Sequence, residues 1–393
     1  MKLVIQVGNI SISKKIVEKD LDKVINRIIK KFNGEIKNPM RYELFRYKIN
    51  KGVIVIYKDN KRLRTANRWF EYRALVALSE LTGERYYYSV KKIMNGIETE
   101  VDGVSLDKDT MVEVKRARIT QSWIDFYERK RKKLGFKNII IIASNFERNT
   151  DWPPTFEAYR IKIDWKSLYN YYLKFNFPTW IREHIPKRHI RFLLPNGYWT
   201  GIKRKITDTA KYKMEDKFRK HINTLKSRGL LPVKVYYSLA RMVNPVSEYH
   251  GKGIPLPYVI LAFDVDVKLK EPLIIGGRKF FVDIIKKVRP FAKIIAEKIE
   301  KLGLESKIIY SGQKGFHIYG LKDNVAYEVR PEEIEELSKE FADLADNINF
   351  RSRSGFDLHR IFKLPGTVDA STGIVLSDKL KILSFNDKLE KIR

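Results

Sequence analysis

Val259-Ile260-Leu261-Ala262-Phe263-Asp264-Val265-Asp266 is an apolar run that ends in two carboxylates. As a strand, it puts Asp264 and Asp266, two positions apart, on one face. Two like charges at that spacing repel, so the run asks for a divalent cation between them, or else leaves two solvated strand-end carboxylates. Downstream, Ile308-Ile309-Tyr310-Ser311-Gly312-Gln313-Lys314-Gly315-Phe316-His317-Ile318 reads as a strand, a glycine-rich basic turn and a second strand. Glycines let backbone N–H groups approach phosphates closely, and Ser311, Gly312, Lys314 and His317 form a candidate nucleotide-binding turn. The same residues would also make a plain β-hairpin with a satisfied histidine. Further on, Phe356-Asp357-Leu358-His359-Arg360-Ile361-Phe362-Lys363-Leu364-Pro365-Gly366 sets a third carboxylate, Asp357, ahead of an alternating basic and apolar strand. Arg360 and Lys363 there are candidate phosphate ligands.

The chain around these segments holds 393 residues, enough for two domains, and 44% of them are hydrophobic, enough to build cores. Lys and Arg number 78 against 47 Asp and Glu, a formal charge of +31. Self-repulsion on that scale points to a polyanionic partner, with nucleic acid ahead of a membrane surface. No apolar run is long enough to span a bilayer, so no membrane partner is expected. The start, Met1-Lys2-Leu3-Val4-Ile5-Gln6-Val7, does not read as a signal peptide, and a cytoplasmic setting is the expectation. There is no cysteine, which excludes disulfides and thiolate zinc sites.

The expected fold class is α/β in the α+β sense, in three parts. Residues 1–150 carry a mixed sheet flanked by helices, with helices near Asn67–Leu81 and Gln121–Leu134. The second of these is stopped by Gly135, and the run Ile139-Ile140-Ile141-Ile142 follows as a strand buried on both faces. Residues 151–187 form an aromatic connector with a helix near Trp165–Phe175. Residues 188–393 alternate strands with helices, including Lys279–Leu302 and Pro331–Asp346.

Taken in order, the three C-terminal segments resemble the archaeo-eukaryotic primase superfamily, with its hhhhDhD strand, SGxxGxH turn and hD segment. The likeness to archaeal primase small subunits extends upstream to Val235-Tyr236-Tyr237-Ser238-Leu239-Ala240-Arg241 and to His189-Ile190-Arg191-Phe192, and spans about residues 188–376. It implies an RRM-like catalytic domain in which Asp264, Asp266 and Asp357 hold Mg²⁺ or Mn²⁺. It further implies that Ser311, Gly312, Lys314, His317, Arg360 and Lys363 bind a nucleoside triphosphate. The cysteine-based zinc motif usual in those subunits is missing, so no zinc is expected.

In the N-terminal part, Glu100-Val101-Asp102-Gly103 precedes Met111-Val112-Glu113-Val114-Lys115. Glu113 and Lys115 share a strand face, and a hairpin would bring Asp102 beside them. This pattern resembles the PD-(D/E)xK nuclease superfamily, over about residues 67–145. The resemblance implies that Asp102 and Glu113 hold the metal and that Lys115 positions the attacking water, with Glu71 and Gln121 as further members of the site. Arg116, Arg118 and the run Arg129-Lys130-Arg131-Lys132-Lys133 supply a phosphate-tracking surface nearby.

The two resemblances together imply a DNA primase or polymerase fused to a nuclease-like module that cleaves or binds DNA. Its partners would be single-stranded template, primer and nucleoside triphosphates, with a helicase or a primase accessory subunit beside them. The alternatives are a non-catalytic nucleic-acid-binding replication or repair factor, and a nuclease whose C-terminal domain only binds nucleotide.

Overall fold

The computed structural model describes residues 2–7, 10–15, 45–50, 53–58, 60–94, 97–202, 213–242, 255–266, 273–312, 315–342 and 361–393. The chain forms two compact units, residues 1–68 with 195–198, and residues 69–194 with 199–393. The smaller unit holds β1 (Lys2–Val7), β2 (Ile10–Lys15), β3 (Phe45–Asn50) and β4 (Val53–Lys58). They form a sheet of order β2-β1-β4-β3, with two antiparallel hairpins joined by the parallel pair β1 and β4. The sequence also reads as one of the opening strands or short helices over Asp20–Phe32, which lies outside the described residues.

Helix α1 (Asn60–Thr82) leads to β5 (Tyr86–Met94), β6 (Ile97–Ser105), β7 (Thr110–Ile119), α2 (Gln121–Leu134), β8 (Asn138–Phe146) and β9 (Phe156–Lys162). Strands β5, β6 and β7 are antiparallel, whereas β7, β8 and β9 are parallel. The switch follows from the connections: hairpins join the first three strands, and a whole helix carries the chain from β7 back to the start of β8. Ile139, Ile141, Ile142 and Ala143 have no exposure, as an all-apolar central strand requires. Gly135 takes φ 77° just after α2 and ends it in the left-handed conformation that glycine adopts without strain.

The connector folds as α3 (Trp165–Leu173), whose first turn is capped by Asp164, and α4 (Thr179–Arg182). Then come β10 (Ile190–Leu193), β11 (Trp199–Gly201), α5 (Lys213–Ser227), β12 (Lys234–Ser238), β13 (Ala240–Met242), β14 (Pro255–Ile260), β15 (Ala262–Asp266) and β16 (Ile274–Ile275). Next are α6 (Arg278–Lys301), β17 (Glu305–Tyr310), β18 (Gly315–Lys322), β19 (Val325–Ala326), β20 (Glu328–Val329) and α7 (Pro331–Ala342). The chain closes with β21 (Ile361–Lys363), β22 (Ile374–Val375), β23 (Lys381–Ile382) and β24 (Lys388–Lys391). Among the described residues, seven α-helices and a set of mixed and antiparallel sheets make up an α+β fold.

Two small sheets frame the C-terminal centre, β11-β10-β12-β21 and β15-β18-β17. In the second, α6 carries the chain from β15 to β17 and packs on β17 and β18, and β18 returns between the two outer strands. The run Val259–Asp266 reads as one strand in the sequence but serves two sheets. At Leu261 it leaves the ladder with β13 and β20 and enters the one with β18. Leu261 N donates to Tyr327 O (2.9 Å) and its carbonyl accepts from Gly320 N (3.0 Å), so the change of sheet leaves neither backbone group unpaired.

The N-terminal sheet is completed from the other end of the sequence. Its full order is β16-β5-β6-β7-β8-β9-β24. Ile274 and Ile275 pair with Tyr87 and Tyr86 on one edge, and Lys388–Lys391 pairs antiparallel with β9 on the other. Arg73 of α1 anchors the same junction. Its guanidinium donates to Asp387 Oδ1 (2.6 Å), Asp164 O (3.0 Å) and Ala370 O (3.3 Å), and its Cζ lies 3.7 Å from the centre of the Phe385 ring.

Candidate functional site

Two clusters of chemistry-bearing residues stand out. The first lies where β6 and β7 part. Asp102 is nearly buried and its Oδ2 accepts from Val114 N (2.8 Å) and Lys115 Nζ (2.9 Å). Lys115 Nζ also lies 3.2 Å from Glu113 Oε2. The structure therefore brings Asp102, Glu113 and Lys115 together. Glu71 of α1 joins them electrostatically: burial, and then repulsion from Asp102, pushes its carboxyl up to about 8, while Tyr88 donates to it (3.2 Å). Burial followed by the Asp102 charge raises Glu113 too. Burial would lower the Lys115 ammonium, but Asp102 and Glu113 outweigh it and hold the group well above its ordinary range. Gln121 is not brought to this cluster. Its amide bridges Asp125 Oδ1 (2.9 Å) and the backbone of Asp151 (2.8 and 3.3 Å) at the start of α2.

Lys130 is a member of the site that sequence reasoning places elsewhere. Its Nζ donates to the second oxygen of Glu113 and to Glu100 O (2.7 Å), and the residue is 5% exposed. The run Arg129–Lys133 is thus not a uniform phosphate-tracking surface. Arg131 is also buried, on Glu128 and the carbonyls of Phe136 and Lys137. Arg116 lies over the Trp69 and Phe70 rings, and burial lowers it to about 10. Helical spacing is the signal that finds Lys130, which follows the buried Tyr127 by three positions, on the helix's inner side.

The second cluster sits between the two C-terminal sheets. In the β15–β18 ladder Asp264 faces His317 and Asp266 faces Gly315. His317 Nε2 lies 3.7 Å from Asp264 Oδ1, and the buried imidazole packs on the Phe362 ring, centroids 4.5 Å apart. Ser311 and Gly312 close the turn at the end of β17, with Ser311 N donating to Gly315 O (3.0 Å). Lys314, Asp357 and Arg360 lie outside the described residues, and Asp266 is placed by its backbone.

Beneath that turn lies a buried carboxylate that the motif pattern does not announce. Asp369 Oδ2 accepts from Lys363 Nζ (3.0 Å) and lies 3.5 Å from Lys234 Nζ, while its Oδ1 accepts from Ser371 N (3.0 Å) and Oγ (2.6 Å). Burial opposes its ionisation, and Lys234 and Lys363 prevail and hold it below the ordinary carboxylate range. Lys363 also donates to Ser311 O, so one ammonium ties the turn to the buried acid. Gly312 sits at φ 91°, and a Cβ there would lie 2.7 Å from Asp369 Cβ. Arg191, Tyr236 and Lys363 face one another on three neighbouring strands, a row across the sheet. A sequence signal for Asp369 exists in Asp-Ala-Ser-Thr-Gly, a combination that favours a side-chain-bonded turn.

Among the described residues no group of three or more His, Asp or Glu side chains is close enough to hold a metal ion. The donor chemistry still suits one. Asp102, Glu113 and, on β15, Asp264 present hard oxygens. At the first cluster a cation would compete with Lys115 and Lys130, which engage both Glu113 oxygens.

No protein-family model matches this sequence, and no curated protein matches it. Among solved structures, the polymerase domain of Ligase D from Mycobacterium tuberculosis, in complex with DNA, is similar at 14% identity with a TM-score of 0.31. The similarity covers 56% of this chain and 79% of that one. No described helix is long and apolar enough to cross a membrane.

Proposed function

We propose that the C-terminal centre performs nucleotidyl transfer on a nucleic-acid template, as a primase or polymerase. The observation that carries this reading is the register of β15 against β18, in which Asp264 faces His317 and Asp266 faces the glycine that closes the Ser311 turn. Carboxylates for a metal and donors for phosphate thereby share one strand end. Asp264, Asp266 and Asp357 would hold Mg²⁺ or Mn²⁺, which supplies charge stabilisation to the transferring phosphoryl group when bound. His317 and the Ser311–Gly312 turn orient phosphate oxygens, assisted by Lys314, Arg360 and Lys363. The 3′-hydroxyl of the primer, or of an initiating nucleotide, forms a bond to the α-phosphorus as the bond to pyrophosphate breaks. No residue of the chain need become covalently attached.

Extension of a primed single-stranded template by the full-length protein, with ribo- and deoxynucleotides and either Mg²⁺ or Mn²⁺, tests this. Asp264→Asn should abolish extension while DNA binding, spread over a +31 surface, persists. A folded wild-type protein that adds no nucleotide to any primed or unprimed template would overturn the reading.

A second reading concerns the N-terminal cluster, where the Lys115 ammonium lies 2.9 Å from Asp102 Oδ2 and 3.2 Å from Glu113 Oε2. That convergence favours metal-dependent DNA cleavage, with Lys115 orienting the water. The full chain is the right material, because β16 and β24 complete this sheet. Lys115→Ala should remove cleavage and spare nucleotide addition. Equal cleavage by both proteins would exclude the lysine from the chemistry.

A further inference from the structure

Helix α2 carries two of the chain's exposed large aromatic side chains, Trp123 at 38% and Phe126 at 41%. They are not isolated. The Trp123 ring stacks on Tyr127 at 5.6 Å and 25°, and meets Phe126 edge-on at 6.1 Å. Tyr127 is buried, and Lys115 Nζ lies 6.0 Å from its ring centre. A continuous line of rings therefore runs from solvent to the Asp102–Glu113–Lys115 cluster.

The same flank is cationic. Positions 123, 126, 129 and 133 recur at helical spacing, so Arg129 and Lys133, both exposed, lie along the strip that Trp123 and Phe126 begin. The nearest acid, Glu128, is already engaged by Arg131 and Lys132. Asp125, one turn before Arg129 on the same side of the helix, accepts from Gln121 instead. Among the described residues neither Arg129 nor Lys133 forms an ion pair.

We propose that this flank of α2 docks single-stranded nucleic acid, with unpaired bases stacked on Trp123 and Phe126 and the backbone phosphates on Arg129 and Lys133. The inference deepens the nucleic-acid reading of the neighbouring cluster and rests on it for the direction in which the strand runs. Flat rings beside uncompensated cations match a polymer of bases and phosphates. A duplex hides its base faces inside the stack. A second copy of a +31 chain would bring cations against cations. The line of rings from Trp123 through Tyr127 ends at Lys115, so the strip leads unpaired strand to that cluster.

The test uses the full-length protein and oligo(dT) of about 20 nucleotides, the span of one or two single-strand sites. With one thymine replaced by 5-bromouracil, irradiation should crosslink the oligomer to Trp123 or Phe126, located by mass spectrometry of the digested complex. The double variant Trp123→Ala/Phe126→Ala should lose that crosslink and raise the Kd by roughly tenfold or more. An abasic oligomer of equal length should bind the wild type as weakly as oligo(dT) binds the variant. Crosslinks confined to other segments, an unchanged Kd in the double variant, or equal binding of the abasic oligomer would each overturn the proposal. So would self-association of the wild type that the variant lacks, which would assign the strip to a second copy of the chain. Retained crosslinking at Trp123 in a protein that cleaves no DNA would uphold the docking strip and remove the cleavage reading alone.

Discussion

Arg73 and Asp387 are 314 positions apart in the sequence and meet as a buried ion pair, with side-chain exposures of 2% and 4%. The same carboxylate accepts from Asp164 N at 2.7 Å, so α1, the start of α3 and the segment entering β24 converge on two side chains. The guanidinium suits this position because its planar fork serves one carboxylate and two carbonyls at once.

Arg73→Ala should therefore destabilise the protein by about 3–5 kcal/mol, the usual loss when one member of a buried pair is removed and its partner's charge remains. Arg73→Lys should recover little of it, since an ammonium cannot reproduce the fork. Urea unfolding of the full chain measures both. A loss below about 1 kcal/mol for the alanine variant would mean that the pair is solvated in solution.

Lys130→Gln should uncover competition for Glu113. In the native protein Lys115 and Lys130 each engage one oxygen of that carboxylate. Without the second ammonium the oxygen is free to accept a hard cation, and Mn²⁺ should raise the thermal midpoint of the variant more than that of the wild type. Equal shifts in a Mn²⁺ titration would show that Lys130 does not stand in a cation's way.

Gly312→Ala should disturb the turn at the end of β17 for two separate reasons. The backbone lies at φ 91°, where alanine is strained, and the added methyl would lie 2.7 Å from Asp369 Cβ. We expect a loss of about 2–4 kcal/mol together with a rise in the apparent KM for nucleotide. Asp369→Asn, which removes the charge and keeps the volume, should raise KM through Lys363 with a smaller steric effect. An unchanged KM in both variants, measured on one primed template, would detach this turn from nucleotide binding.

His221 sets an acid limit on stability. Its imidazole packs on Phe192 at 4.7 Å, and burial, with a lesser contribution from Arg228, lowers it from 6.5 to about 4. The unfolded chain thus binds a proton that the folded chain refuses between those values. The contribution is present in full above pH 6.5 and is lost as the pH falls toward 4. Allowing for partial solvent access, it amounts to about 2 kcal/mol. Wild type should lose more stability than His221→Leu between pH 7 and 4.5 in urea titrations, and identical losses would contradict the assignment.

Local signals carried much of this fold. Helix α2 begins and ends where the sequence places it because Gly135 offers a left-handed stop and Gln121 follows a strand-like run. The isoleucines of β8 have no polar face to turn outward, so a doubly covered strand is their natural setting. The break at Leu261 was not legible, because Val259–Phe263 is apolar throughout and the change of sheet partner is decided by Tyr327 and Gly320, far along the chain. Lys130 was obscured by its neighbours, since Arg129, Arg131, Lys132 and Lys133 beside it read in sequence as one solvated charge run, although Arg131 too is buried. Asp369 needs Lys234 and Lys363 from two other strands before a buried carboxylate becomes tolerable there, and such compensation belongs to the folded state alone.

Closure of β9 by β24 also fixes an order of events during synthesis. Lys162 and its partner Lys388 are more than 200 residues apart. At ribosomal rates of about 5–20 residues per second, the outer edge of β9 stands open for on the order of ten to fifty seconds. Throughout that interval the nascent chain presents a strand with free amide and carbonyl groups to any extended segment nearby. Glu157, Arg160 and Lys162 punctuate the strand with charges of both signs, the kind of side chain that discourages foreign pairing. When Leu389 and its neighbours emerge, they meet an edge kept vacant for them, and Glu390 settles against Arg160 at 3.4 Å.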